Sequence, residues 1–146
     1  MTKTKTTIPR NPGTKRRWLL ADAAQQPLGR LAVTVANALR GKDQPTFDPS
    51  VDTGVFVIVV NAEKVKLTGR KEDQKEYQRY SGYRGGLRHI PVRTMRERHP
   101  DRIIKLAVWG MLPKNHLCRK CMTRLRVFKG GVHTHAAQKP ELLKLA

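Results

Sequence analysis

The stretch Arg79-Tyr80-Ser81-Gly82-Tyr83-Arg84-Gly85-Gly86-Leu87-Arg88 sets three guanidinium groups and two phenols among three glycines. It holds too much glycine for a helix and too much charge for a core. Three chemistries compete for such a segment. A cradle for the phosphates of a small nucleotide calls for G-x-x-x-x-G-K-[ST] or G-x-G-x-x-G between a strong strand and a strong helix. Neither pattern is present here, and the flanking sequence is not of that kind. A bare surface turn draws on the same residue types. The third reading is contact with RNA. Glycines let the backbone approach a sugar-phosphate chain, Arg79, Arg84 and Arg88 supply charge and forked hydrogen bonds, and Tyr80 and Tyr83 can stack on unpaired bases.

Cys118-Arg119-Lys120-Cys121, with His133-Thr134-His135 downstream, brings together the ligand types of a tetrahedral zinc site. Two features count against it. The cysteines fall inside a helix-like pattern, with Cys121 in its apolar stripe, and H-x-H is not the usual finger spacing. A buried small hydrophobe is the competing role for Cys121. Redox chemistry would want a thioredoxin-like setting that the sequence lacks. No enzymatic constellation emerges either. Ser50 and Ser81 are the only serines, and neither sits in a nucleophile elbow. His89, His99, His116, His133 and His135 lie among cations, which disfavours proton uptake and suits exposed or phosphate-facing rings better than a tuned general base. No cofactor and no small-molecule substrate are expected.

These groups need elements to hold them. Trp18 to Ala21 reads as a short buried strand, followed by a turn to Pro27. From Leu28 to Arg40 apolar residues recur at three- and four-residue steps, and Gly41 supplies a helix stop. Thr46 to Thr53 is a connection. Val55 to Val60 is apolar on both faces, which fits a central strand of a mostly parallel sheet with helices on both sides. Val65 to Thr68 could extend that sheet, Gly69 to Glu76 is ambiguous, and Tyr77 to Tyr80 reads as a strand entering the glycine-rich segment. A short basic helix is expected over Pro91 to Arg98. A clearer one starts at Pro100, with Ile103, Ile104, Ala107, Val108 and Met111 inward and Gly110 and Pro113 as its end. The last helix spans His116 to Phe128, with Leu117, Cys121, Leu125 and Phe128 inward and Arg119, Lys120, Arg124 and Arg126 outward. Past Gly130-Gly131 the periodicity is lost.

The fold class is therefore α/β, three layers α/β/α around a mainly parallel sheet, with basic extensions at both ends. Residues 1–17 form a basic N-terminal extension, 18–128 an α/β RNA-binding domain, and 129–146 a C-terminal tail. The chain's 146 residues suit one domain. Its 30 Lys and Arg against 11 Asp and Glu, a formal net charge of +19, imply a polyanionic partner. The centre is near neutral, with three basic and four acidic residues over 18–62. Residues 1–17 carry six basic groups, among them Arg16 and Arg17, and no acid, while 111–146 carry eight against Glu141 alone. No apolar run reaches membrane-spanning length, so no membrane partner is expected and the expected location is cytoplasmic. An organellar transit segment is the alternative reading of the Thr-rich leader.

Seven stretches in order, L-G-R-L-A (28–32), L-R-G-K (39–42), V-N-A-E-K (60–64), T-G-R-K (68–71), Y-S-G-Y-R-G-G-L (80–87), G-M-L-P-K (110–114) and A-Q-K-P (137–140), resemble the bacterial-type L13 family of large-subunit ribosomal proteins. The resemblance implies an α/β/α domain that binds large-subunit rRNA beside neighbouring large-subunit proteins and acts early in subunit assembly. It carries RNA contact onto Lys42, Arg70, Lys71, Tyr80, Tyr83, Lys114 and Arg119. Arg16, Arg17, Arg79, Arg84, Arg88, Lys120, Arg124, His133 and His135 join that set from their charge and setting. The chain departs from the family pattern at Arg84 and Thr134, where Pro is usual, and at Cys118, where Gly is usual.

Overall fold

In the computed structural model the described residues are 16–45, 47–52 and 55–143. Of the expected N-terminal extension, only Arg16 and Arg17 fall among them. Trp18–Asp22 (β1) is followed by the helix Leu28–Arg40 (α1), whose residues Leu28, Leu31, Ala32, Val35, Ala36, Ala38 and Leu39 are buried. That spacing gives one apolar stripe, the requirement for packing a helix on a sheet. Gly41 ends the helix in the left-handed region at φ 75°, its N–H donating to the Ala38 carbonyl at 3.0 Å, a conformation glycine enters without a Cβ penalty. Phe56–Val60 (β2) then pairs in parallel with β1, from Trp18 opposite Phe56 to Asp22 opposite Val60.

Between β2 and the next strand of this sheet lies an excursion. It comprises the single turn Lys71–Gln74 (α2), the strands Glu76–Tyr80 (β3) and Leu87–Pro91 (β4), and the helices Val92–Arg98 (α3), Pro100–Met111 (α4) and His116–Thr123 (α5). Leu125–Val127 (β5) and Glu141–Leu142 (β6) complete a four-stranded sheet of order β5-β2-β1-β6, parallel at every pairing. The strands β3 and β4 form a separate antiparallel hairpin. The chain thus has an α/β fold with a parallel central sheet. Its apolar β2 is flanked by strands on both sides, as its composition implied.

One contiguous core joins Leu19, Ala21, Val57, Val59 and Leu125 of the sheet to α1, to Ile103, Ile104 and Val108 of α4, and to Cys118 and Cys121 of α5. The alternate strand residues face the other way. There Trp18 stacks on Phe56, centroids 4.2 Å apart, and the His135 ring lies 5.2 Å from Trp18 and 5.9 Å from Phe128. On this second face the His135 ring brings the C-terminal segment against the strands.

The sequence and structure part at four places. The helix expected to reach Phe128 stops at Thr123, because Arg124 turns inward and Leu125 begins pairing with Val57. The segment after Gly130-Gly131 returns to the sheet, where Leu142 is in register with Leu20. Val65–Thr68 adds no strand; a single bridge joins Lys66 to Pro27. Gly110 lies within α4 and the helix runs on to Met111, for a Cβ there would meet nothing and glycine alone does not break a helix.

Candidate nucleic-acid interface

The glycine-rich segment is the turn of the β3–β4 hairpin. Ser81 N–H donates to the Gly86 carbonyl at 3.2 Å and Gly86 N–H to the Tyr83 carbonyl at 3.0 Å. Gly82 and Gly85 adopt φ 92° and 70°, and a Cβ on Gly86 would stand 2.0 Å from Ser81 Oγ and 2.9 Å from the Tyr83 carbonyl oxygen. The glycines are therefore required by the turn itself, a role distinct from the close approach to phosphate expected of them. What the turn displays is the two phenols: Tyr80 is 64% and Tyr83 79% exposed, with Leu87 beside them at 51%. Large apolar rings held in water on a short, closed turn are suited to stacking on a partner.

Hairpin register places Arg79 opposite Arg88, Gln78 opposite His89 and Tyr77 opposite Ile90. Like charges in a cross-strand pair oppose pairing unless an anion bridges them. Among the described residues neither guanidinium forms an ion pair, and the same holds for Arg84, Arg98 and Arg102. Because strand side chains alternate, Tyr77, Arg79, Arg88 and Ile90 share one hairpin face. That face looks onto α3 and α4 across a cleft of about 510 Å³, to which Thr94, Arg98, His99 and Arg102 also contribute. No carboxylate lines it. The nearest hairpin acid, Glu76, is engaged by His89 Nδ1 at 3.0 Å. Partial burial pushes the Asp101 carboxyl upward, but the hydrogen bond and charge of Lys105, together with the backbone N–H and charge of Arg102, outweigh it and hold Asp101 below the usual carboxylate range.

Ion pairs hold this platform together. Arg93 pairs with Asp73, and Arg96 pairs with Glu72 at 2.6 Å while donating to the Val65 carbonyl at 3.0 Å, so α2 is tied to α3 beneath the hairpin. Arg70 and Lys71 are exposed at the start of α2, with Lys71 Nζ donating to Thr68 Oγ1 at 3.3 Å. Lys42 is exposed just past the Gly41 stop. On α5, Asn115 caps the N-terminus by accepting from Cys118 N–H at 2.8 Å. This orients the helix so that Cys118 and Cys121 point into the core while Arg119 and Lys120 are exposed.

Several expected contacts are already committed within the chain. Lys114 Nζ sits 4.2 Å above the Trp109 ring and donates to the Trp109 carbonyl. Arg17 bridges Asp43 at 3.1 Å and Glu141 at 3.4 Å, and the Arg16 guanidinium lies 5.7 Å from the Phe56 centroid. His133 and His135 are half-buried against Phe128, and His135 against Trp18 as well. Arg124 requires a correction. It is 5% exposed and ion-paired with Asp52, so it is a structural residue anchoring the 47–52 connection under β5 rather than part of the surface set. Its outward assignment followed from extending the α5 period one turn too far. Conversely, Arg98 and Arg102 line the cleft although only the basic character of 92–102 hinted at them, and His99, a ring among cations in the sequence, lies beside them.

Zinc and a small nucleotide are the alternatives to an RNA partner. Among the described residues no three His, Cys, Asp or Glu side chains converge as metal ligands, and burial pushes the Cys121 thiol up to about 11. Parallel α/β sheets hold nucleotides outside the carboxyl ends of their strands. Here the segments that leave the carboxyl ends of β2 and β5 stay hydrogen-bonded to each other. Asn61 N–H donates to Gly130 O at 2.9 Å, Ala62 N–H to Phe128 O at 3.1 Å, and Asn61 Nδ2 to Asp22 Oδ1 at 2.9 Å.

A parallel α/β core carrying a separate antiparallel hairpin, with arginines opposed across its strands and tyrosines exposed at its tip, defines the class of fold. The sequence profile described as "Ribosomal protein L13" matches residues 16–134, and the chain belongs to this family of ribosomal structural proteins, which are not enzymes. Similar proteins include the large ribosomal subunit protein uL13 of Clostridioides difficile (strain 630), 57% identical over 129 residues covering 88% of this chain and 90% of the relative. The uL13 of Prochlorococcus marinus (strain NATL1A) is 50% identical over 141 residues, 97% of this chain and 94% of its own length. That of Chloroflexus aggregans (strain MD-66 / DSM 9485) is 54% identical over 127 residues, 87% and 89% respectively.

Proposed function

We propose that this protein is a structural component of the large ribosomal subunit, that it binds large-subunit rRNA and supports early subunit assembly, and that it does so beside neighbouring large-subunit proteins in the cytoplasmic ribosome. The observation that carries the reading is the in-register pair Arg79 and Arg88, unpaired by acids among the described residues, on a hairpin tipped by Tyr80 and Tyr83. Such an arrangement is electrostatically unfavourable alone and favourable against phosphates. Membership of the L13 family and the names of its relatives supply the identity of the polymer. Among the described residues no helix is long and apolar enough to cross a membrane.

The remaining exposed cations, Lys42, Arg70, Lys71, Arg84, Arg119 and Lys120, extend the same surface in this reading, and Arg16, Arg17, Lys114, His133 and His135 contribute from positions already packed on the chain's own rings and acids. Phosphate contacts then fix the position of rRNA segments, and the tyrosines select unpaired bases. Filter binding to transcribed fragments of large-subunit rRNA tests this. The expected result is saturable binding to a subset of fragments, retained against an excess of small-subunit rRNA of equal length. Equal binding to every fragment, or none, would remove the proposal.

A further inference from the structure

The cleft beneath the hairpin continues into a second hollow. Arg79, Ile90, Met95 and Arg102 line both, so the two are one groove between β3–β4 and the α3–α4 pair. The second hollow, of about 430 Å³, adds Tyr77, Gln78, Lys105 and Leu106. Its character is different. The first hollow is rimmed by guanidinium and imidazole groups, whereas Tyr77, Ile90, Met95 and Leu106 make the second largely apolar. Leu106 is 46% exposed on a helix whose Ile103, Ile104 and Val108 are fully buried, so it belongs to the groove and not to the core.

A phosphate alone has no use for an apolar wall, and a hydrophobic ligand alone has none for Arg79, Arg88 and Arg102. The chemistry that uses both within one short span is an unpaired nucleotide, with its planar base and flanking phosphates. A paired helix cannot present its base faces to such a wall, because they are stacked within the duplex. An acidic peptide would match the charge but leave the apolar part without a planar partner. One side of the Tyr77 ring is already covered by Lys75 Nζ, 5.3 Å from its centroid, so the base is left to Ile90, Met95 and Leu106.

We propose that this groove receives one unpaired nucleotide of the bound RNA, its base against Ile90, Met95 and Leu106 and its flanking phosphates on Arg79, Arg88 and Arg102. The inference rests on the RNA-binding reading above and adds to it a pocket for a splayed base beneath the hairpin, separate from stacking on Tyr80 and Tyr83 at its tip. With a phosphate between them, Arg79 and Arg88 become a clamp, and the base locks the hairpin to α4.

The test uses the full chain and methyl NMR of Met95 and Leu106 at physiological salt. Three probes are titrated: a short single-stranded RNA without self-complementarity, the same sequence annealed to its complement, and a short poly-glutamate peptide. The single strand should shift both methyls saturably, while the duplex and the peptide leave them in place. Substituting Leu106→Ala, at a half-exposed position that the core does not use, should weaken single-strand binding by about tenfold and duplex binding by less than about twofold. The pair Arg88→Gln with Arg102→Gln should abolish the methyl shifts. Equal shifts from duplex or peptide would overturn the proposal, as would silent methyls in a chain that still binds rRNA fragments; in this last case the ribosomal reading stands and only the groove falls. Loss of all RNA binding by the unmodified chain would remove both.

Discussion

At the scale of single residues, the interior separates groups that hold the fold from groups held out for a partner. Asp52 and Arg124 form an ion pair whose side chains are 19% and 6% exposed, across 72 residues of sequence. Deleting one member of a buried pair strands the other without its counter-charge, and that costs more than the pair contributes. Asp52→Ala should therefore lower stability by about 3 kcal/mol, read as a shifted urea midpoint at unchanged slope. Cys121 offers an independent check. Burial raises its thiol to about 11 from 9.0, with the Arg124 charge opposing, so the protonated form is favoured in the fold. The sign follows directly: this contribution to stability is complete below pH 9 and is lost as pH rises toward 11. Iodoacetamide at pH 8 should leave the native protein unlabelled and modify it rapidly in urea; fast native labelling would mean that α5 does not hold its cysteines inward.

At the scale of elements, the hairpin depends on a steric condition that can be tested without touching the core. In Gly86→Ala the new Cβ would overlap Ser81 Oγ and crowd the Tyr83 carbonyl, both at the turn's own hydrogen bonds. The turn should open and rRNA affinity fall by about 1 to 3 kcal/mol, matching Tyr83→Ala, while the stability read from urea unfolding stays within about 0.5 kcal/mol of the parent. A large loss of stability would instead tie the hairpin to the folding core. What was legible beforehand divides along the same lines. The helix α1 announced itself because thirteen residues keep one period and glycine ends it. The strand β2 was legible because only a central strand is apolar on both faces. The strands β5 and β6 were not, being three and two residues long and defined solely by their neighbours. Leu125 and Phe128 happen to continue the helical spacing of Leu117 and Cys121, so local periodicity pointed the wrong way and carried Arg124 to the surface with it. The cleft was equally hidden. It exists because a hairpin folds over α3 and α4, and no sequence spacing relates Arg79 and Arg88 to Arg102.

At the scale of the whole molecule, a formal net charge of +19 is a cost in self-repulsion unless a polyanion relieves it. Part of the positive charge is neutralised internally, since Arg17, Arg93, Arg96, Lys105 and Arg124 each face a carboxylate. Among the described residues the exposed cations outside these pairs include Arg79, Arg84 and Arg88 of the hairpin, Arg70 and Lys71 at α2, and Arg119 and Lys120 of α5. If that surface engages about six to ten phosphates, the logarithm of the rRNA binding constant should fall against the logarithm of salt concentration with a slope of about −5 to −9. The slope also tells charge from stacking. Arg84→Gln should flatten it by about 0.7 to 0.9, one phosphate's worth of released counterions, at every salt concentration. Tyr83→Ala should shift the line down without tilting it, because stacking on a base releases no counterions. A wild-type slope near zero would mean that the cations meet water rather than phosphate, and a tilt caused by Tyr83→Ala would mean that the hairpin tip positions charges instead of binding bases.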